Sequence, residues 1–175
     1  MDLTQLARKT LEAQFSDKKF EPDKETKKKF SKNLACFVTL TKKKELRGCI
    51  GSLRAHQFLW KDVIDNSLNA AFQDPRFLPL DKRELKEIKI EVSVLSEPKK
   101  LVFKTPEELL KKINNKMGLI LKKGFYSSTF LPQVWEDLPG KNSFLEHLSL
   151  KAGLTKDAWK NSEFWYYTVK IEKEK

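Results

Sequence analysis

Two glycines three positions apart interrupt a run that is otherwise suited to a β-strand: Leu46-Arg47-Gly48-Cys49-Ile50-Gly51. Glycine inside a strand weakens it, so it marks a bulge, a positive φ, or the close approach of another backbone or a ligand. The run follows Leu34–Thr41, whose β-branched and aromatic residues predict a strand. Between the two lies Lys42-Lys43-Lys44-Glu45, a polar connection of about four residues, so the pair reads as a hairpin.

Periodicity assigns most of the remaining elements. Leu3, Leu6, Ala7, Leu11 and Phe15 are spaced for a helix over 2–15. Residues 17–32 read as a lysine-rich loop leading into a short helix. Trp60, Ile64, Leu68 and Ala71 predict a helix over 57–72, ended by Asp74-Pro75 because the residue before a proline is pushed out of the helical region. Ile88, Ile90, Val92 and Val94 alternate with Lys89, Glu91 and Ser93, the pattern of a strand with one face in a core. Thr105-Pro106-Glu107-Glu108 starts a helix with a cap, a proline in the first turn and acids at the positive end of the dipole. A second hairpin is expected over 118–130, a helical turn around Trp135, a helix over 142–152 capped by Gly153, and a closing strand over 164–171. Helices interspersed with hairpins predict an α+β fold, with an antiparallel or mixed β-sheet flanked by helices.

Charge bears on function only weakly. The chain carries a net charge of +11, but only five of its 35 basic residues are arginine. Base and phosphate recognition favours the planar arginine fork, so a lysine excess reads first as a solvated surface, with nucleic-acid binding as the lesser alternative. Lys27-Lys28-Lys29 and Lys42-Lys43-Lys44 would be the natural phosphate contacts if nucleic acid were bound. No apolar run reaches the roughly 18 residues that predict a membrane span. The first residues lack the apolar core of a signal peptide, and Cys36 and Cys49 do not make a disulfide framework. A cytoplasmic location with reduced thiols is the expectation.

Cys49 is the first candidate for chemistry. A thiolate beside Arg47 and near lysines is a possible nucleophile; the alternative is a small buried strand residue. His147 is the candidate general base, with Glu91 or Glu146 to orient it; the alternative is a hydrogen-bonded structural histidine. Arg47, with Gly48 and Gly51 beside it, is placed to hold an anion or carboxylate. Arg76 is expected to pair with a carboxylate such as Glu91 or to face a ligand. Thr129, Gln133 and Trp135 read as lid packing or as the rim of a pocket. The soft ligands lack C-x-x-C or H-x-x-x-H spacing and no glycine-rich phosphate loop occurs, so neither a metal nor a cofactor is expected.

The run Leu-Arg-Gly-Cys-Ile-Gly-Ser-Leu resembles the signature of the AMMECR domain family. Further blocks follow in order: Asn69-Ala70-Ala71-Phe72, Asp74-Pro75-Arg76-Phe77, Ile90–Ser96, Gly118–Leu121, Thr129–Trp135, Phe144–Leu148 and Lys151–Leu154. Together they run from about Leu34 to Tyr167. The resemblance implies a single domain over 1–175 with two unequal lobes, the larger built from both chain ends and the smaller inserted. It also implies a place in a widespread, mostly uncharacterised family. Bacterial and archaeal members often occur beside, or fused to, Memo-type and radical-SAM proteins, which implies a shared pathway or complex. An adaptor or regulatory role is the alternative to catalysis. Phe125-Tyr126-Ser127-Ser128 departs from relatives that carry more glycine and arginine there.

Overall fold

The computed structural model describes residues 1–16 and 20–175; residues 17–19 of the predicted lysine-rich loop lie outside the described residues. The predicted first hairpin forms from β1 (Cys36–Lys42) and β2 (Glu45–Gly51), and β1 pairs antiparallel on its other side with β3 (Ile88–Leu95). With β8 (Val169–Lys173) the order is β2-β1-β3-β8, which leaves the glycine-bearing strand at an edge. Helices α1 (Leu3–Gln14) and α3 (Leu59–Phe72) cover one face, and α2 (Lys24–Lys29) precedes β1.

Side-chain alternation explains this layering. Val38 and Leu40 of β1 and Ile88, Ile90 and Val92 of β3 join Leu6, Leu11, Val63 and Ala70 of the two helices in one buried cluster. The opposite face carries Thr39, Cys49 and Glu91. Helix α1 begins on a capping box: Gln5 N–H donates to Asp2 Oδ1 (2.8 Å), and Asp2 N–H donates to Gln5 Oε1 (3.0 Å). These elements form a compact unit of residues 1–95 with 170–175.

Residues 96–169 form a second compact unit. Its sheet has the order β4-β7-β5-β6, from β4 (Lys99–Leu101), β5 (Gly118–Lys123), β6 (Tyr126–Phe130) and β7 (Glu163–Tyr167). Its helices are α4 (Pro106–Lys112), α5 (Val134–Asp137) and α6 (Lys141–Lys151). Thr105 caps α4 as predicted, its Oγ1 accepting from Glu108 N–H at 3.3 Å. Gly153 adopts φ +77°, the left-handed conformation its place after α6 predicts. Leu119, Leu121, Phe144, Leu148 and Phe164 make this unit's core, with Trp135 stacked on Phe144 at 3.8 Å between ring centroids.

Two expectations need correction, and three short elements were not expected at all. The stretch 164–171 is not one strand: β7 belongs to the second sheet and β8 to the first, with Thr168 between them. Ser96 N–H donates to Thr168 O and Thr168 N–H to Ser96 Oγ, which ties the first residues of the second unit to its last. Short β4 and the 3₁₀ turns Lys82–Lys86 and Lys156–Asn161 carry no periodic signal and escape a sequence reading. The first hairpin loop is two residues long rather than four, and Lys43 and Lys44 both take positive φ (53° and 70°).

That turn suits glycine and asparagine, not lysine, because a Cβ is strained in the left-handed region. Replacing Lys43-Lys44 with Asn-Gly is expected to raise stability by about 1 kcal/mol, read as a higher urea midpoint at unchanged slope.

Candidate functional site

The two glycines of the signature have a steric cause. A Cβ on Gly48 would lie 2.1 Å from the carbonyl oxygen of Ala70, so the backbone of α3 packs directly against β2. A Cβ on Gly51 would meet the Phe37 ring at 2.3 Å and the Cys36 carbonyl oxygen at 2.6 Å. Neither glycine has a positive φ; both are places where another group approaches too closely for a side chain.

Between them, Cys49 points to the face opposite the helices. Thr39 is its partner across the β1–β2 pair and the partner of Glu91 across the β1–β3 pair, so Cys49, Thr39 and Glu91 form one row across three strands. Thr39 Oγ1 lies 3.2 Å from Cys49 Sγ. Cys49 is half-buried and Cys36 fully buried. Burial is the largest cause that raises the Cys36 thiol pKa far above its ordinary value, so Cys36 stays protonated and inert.

The backbone of Cys49 is held from the loop after α3. Its N–H donates to Asp74 Oδ2 (2.8 Å), and its carbonyl accepts from Arg76 Nη2 (3.3 Å). Asp74 is buried and takes two further bonds from the Arg76 guanidinium, Nε to Oδ1 at 3.0 Å and Nη2 to Oδ2 at 2.7 Å. That guanidinium is the largest cause holding the Asp74 carboxyl well below the usual carboxylate range. Edge strand β2 is therefore pinned at Cys49 by a charged clamp on one side and the α3 backbone on the other. Arg76 pairs here with Asp74; Glu91 instead meets Lys173 Nζ at 2.9 Å.

Arg47 sits at a β-bulge. The register slips between Leu40 and Thr41, leaving Arg47 without a cross-strand partner and turning it toward the 3₁₀ turn. Its Nε and Nη2 donate to the two carboxylate oxygens of Glu84 at 3.0 and 2.8 Å. This fork is the largest cause lowering the Glu84 pKa to about 2. Arg47 Nη1 is buried with no acceptor among the described residues. The Phe77 ring lies 5.9 Å from the Arg47 guanidinium carbon and 5.5 Å from that of Arg76, so both cations flank one aromatic side chain.

A buried polar cluster beside Gly51 is absent from the sequence-based candidates. Asp62, in the first turn of α3, accepts from Cys36 N–H (2.9 Å), Ser52 Oγ (2.9 Å) and Gln57 Nε2 (3.3 Å). Asn66 Nδ2, one helical turn on, donates to the Cys36 carbonyl at 3.2 Å. Together they hold the end of the hairpin against the helix. The spacing of Asp62 and Asn66 by four residues was the one available clue, since it places both on the same helix face. His56 is exposed, with Nε2 3.9 Å from Asp62 Oδ1.

The remaining candidates belong to the second unit. His147 is exposed on α6, and its Nδ1–H donates to the Ser143 carbonyl at 2.8 Å, which leaves Nε2 as the basic nitrogen. Thr129 Oγ1 donates to the Leu119 carbonyl (2.8 Å) and lies 3.0 Å from Tyr167 Oη, so it braces the β5–β6 hairpin. Gln133 is exposed just before α5. Of the candidates, Arg47, Gly48, Cys49, Gly51, Arg76 and Glu91 fall in the first unit, and Thr129, Gln133 and His147 in the second. Among the described residues no three His, Cys, Asp or Glu side chains group as metal ligands, and no helix is long and apolar enough to cross a membrane.

Two outcomes follow from the clamp and the close approach. Gly48→Ala is expected to cost about 3 kcal/mol, because backbone rather than a flexible side chain must yield; chemical denaturation checks it. Asp74 titrates below its unfolded value, so its contribution to stability is complete above about pH 4 and falls by about 1.4 kcal/mol per pH unit below that. Asp74→Asn should remove that part of the acid dependence, leaving a protein that is less stable at neutral pH with a shallower loss below pH 4, read from urea midpoints across pH.

The comparisons agree with this architecture. The AMMECR1 family model matches residues 4–172. Protein NEQ441 of Nanoarchaeum equitans is 42% identical over 162 residues, covering 91% of this chain and 90% of the relative. A protein of Aquifex aeolicus is 40% identical over 180 residues, covering 98% and 89%. The crystal structure titled uncharacterized protein PH0010 from Pyrococcus horikoshii superposes with a TM-score of 0.83 at 34% identity, covering 99% of this chain and 90% of that one. A family match over almost the whole length, close relatives of similar size and a shared fold together make this chain a member of the AMMECR1 family.

Proposed function

We propose that this chain is a component of a small-molecule or protein-modification pathway, acting with Memo-type and radical-SAM proteins, and that its working surface is the sheet face around Cys49. The observation that carries the reading is the Cys49–Thr39–Glu91 row: a half-buried thiol on the face away from the core, 3.2 Å from a hydroxyl on the next strand and two strands from a carboxylate. The clamp by Asp74 and Arg76 supports it, since a buried charged pair aimed at the backbone of one strand residue fixes where that side chain stands. Arg47, Arg76 and Phe77 border the same strand and supply positive charge for a carboxylate or phosphate on the substrate.

The second reading is a non-catalytic adaptor. It is favoured by the bidentate pairing of Arg47 with Glu84 and of Arg76 with Asp74, which spends both guanidinia on internal structure. Affinity capture with the intact chain from its own cell, followed by mass spectrometry, should retrieve a Memo-type or radical-SAM protein. Cys49→Ser should retain that partner while the pathway's product is lost. Capture of neither protein class contradicts the shared pathway, and an unchanged product level in Cys49→Ser supports the adaptor.

A further inference from the structure

The β5–β6 hairpin ends on a two-residue turn, Gly124-Phe125, closed by the Lys123–Tyr126 pair, with Gly124 at φ +57°. Phe125 is the most exposed large apolar side chain among the described residues, with none of its surface covered, and Tyr126 beside it is 54% exposed. Turns favour small polar residues, so a phenyl ring here leaves apolar surface in water that a partner can cover.

Positive charge on both faces of the hairpin is the second observation. Side chains alternate along a strand. Lys123 therefore shares the face of the core residues Leu119 and Leu121, and Lys122 the opposite face with Ile120. Lys123 is exposed and has no ion pair among the described residues. Lys122 Nζ stands 4.4 Å over the Trp165 ring, which holds it beside the tip. Glu163, the cross-strand partner of Lys122, is taken by Lys100 Nζ at 2.5 Å. One ammonium thus stands on each side of an apolar apex.

We infer that this hairpin tip binds the surface of an anionic phospholipid bilayer, with Phe125 entering the acyl boundary, Tyr126 at headgroup depth, and Lys122 and Lys123 meeting the phosphates. Shape and charge select this occupant. A protein groove or a nucleic-acid strand would engage one face of the hairpin. A planar anionic surface met end-on takes the apolar apex and the charges of both faces together. One inserted ring and two lysines make a weak, reversible anchor. It needs nothing of Cys49, which belongs to the other unit.

Sedimentation of the intact protein with sucrose-loaded vesicles tests this, comparing phosphatidylcholine alone with a three-to-one mixture of phosphatidylcholine and phosphatidylserine. The protein should pellet with the mixed vesicles, be released as salt is raised, and stay in solution with phosphatidylcholine alone. Phe125→Ser should weaken partitioning about tenfold, Phe125→Trp should retain it, and Lys123→Gln should weaken it about fivefold. Both positions are exposed at the turn, so none of these variants threatens folding. No pelleting with the mixed vesicles, equal pelleting with both compositions, or undiminished binding by Phe125→Ser would overturn the inference. Binding to a single-stranded oligonucleotide that depends on Phe125, read by fluorescence anisotropy, without pelleting on vesicles would reject the bilayer in favour of nucleic acid.

Discussion

The contact on which the first unit depends is backbone against backbone: β2 meets α3 where Gly48 faces the carbonyl of Ala70. At this distance only glycine fits, and the approach lets an edge strand share the helix-covered core without a side chain between. Its neighbours follow from that constraint. Ile50 packs toward the core cluster, Cys49 is turned to the other face, and the bulge at Arg47 sends a guanidinium out to Glu84. An edge strand usually needs protection from pairing with another chain. Here the Asp74–Arg76 pair takes up the Cys49 N–H and carbonyl, so the exposed edge is closed by side chains rather than by a further strand.

Much of the fold was legible because core contacts are periodic. Helix α3 and strand β3 announce themselves by apolar spacing, and Pro75, Pro106 and Gly153 punctuate as backbone sterics dictate. The failures are equally physical. Residues 163–173 are almost unbroken strand formers, and nothing in a one-dimensional pattern says that the chain changes sheet at Thr168; the change is set by which partners are available on either side. Lys43 and Lys44 look like part of a polar loop because their residue type argues against a tight turn, yet the β1–β2 register imposes it. Ser93 is buried though its position in β3 marks it as outward-facing.

The site was half legible. The glycine pair signalled a close approach, and Arg47, Cys49, Arg76 and Glu91 do gather around β2 and its neighbours. What the sequence left open is how the charges pair. Glu84 and Asp74 each lie within a loop or short turn, and only the folded chain shows that they take the two arginines. The Asp62–Asn66 cluster was hidden for a related reason: two polar residues on an otherwise apolar helix read as solvent-facing until the hairpin end is placed over them.

The central claim is that the glycine-framed strand presents Cys49 as the available thiol while Cys36 is locked in the core. Rates of alkylation by iodoacetamide, measured residue by residue by mass spectrometry on the native protein at neutral pH, test it most directly. Cys49 is predicted to react while Cys36 stays unmodified until the protein is denatured. Equal and slow labelling of the two cysteines in the native state would contradict the account.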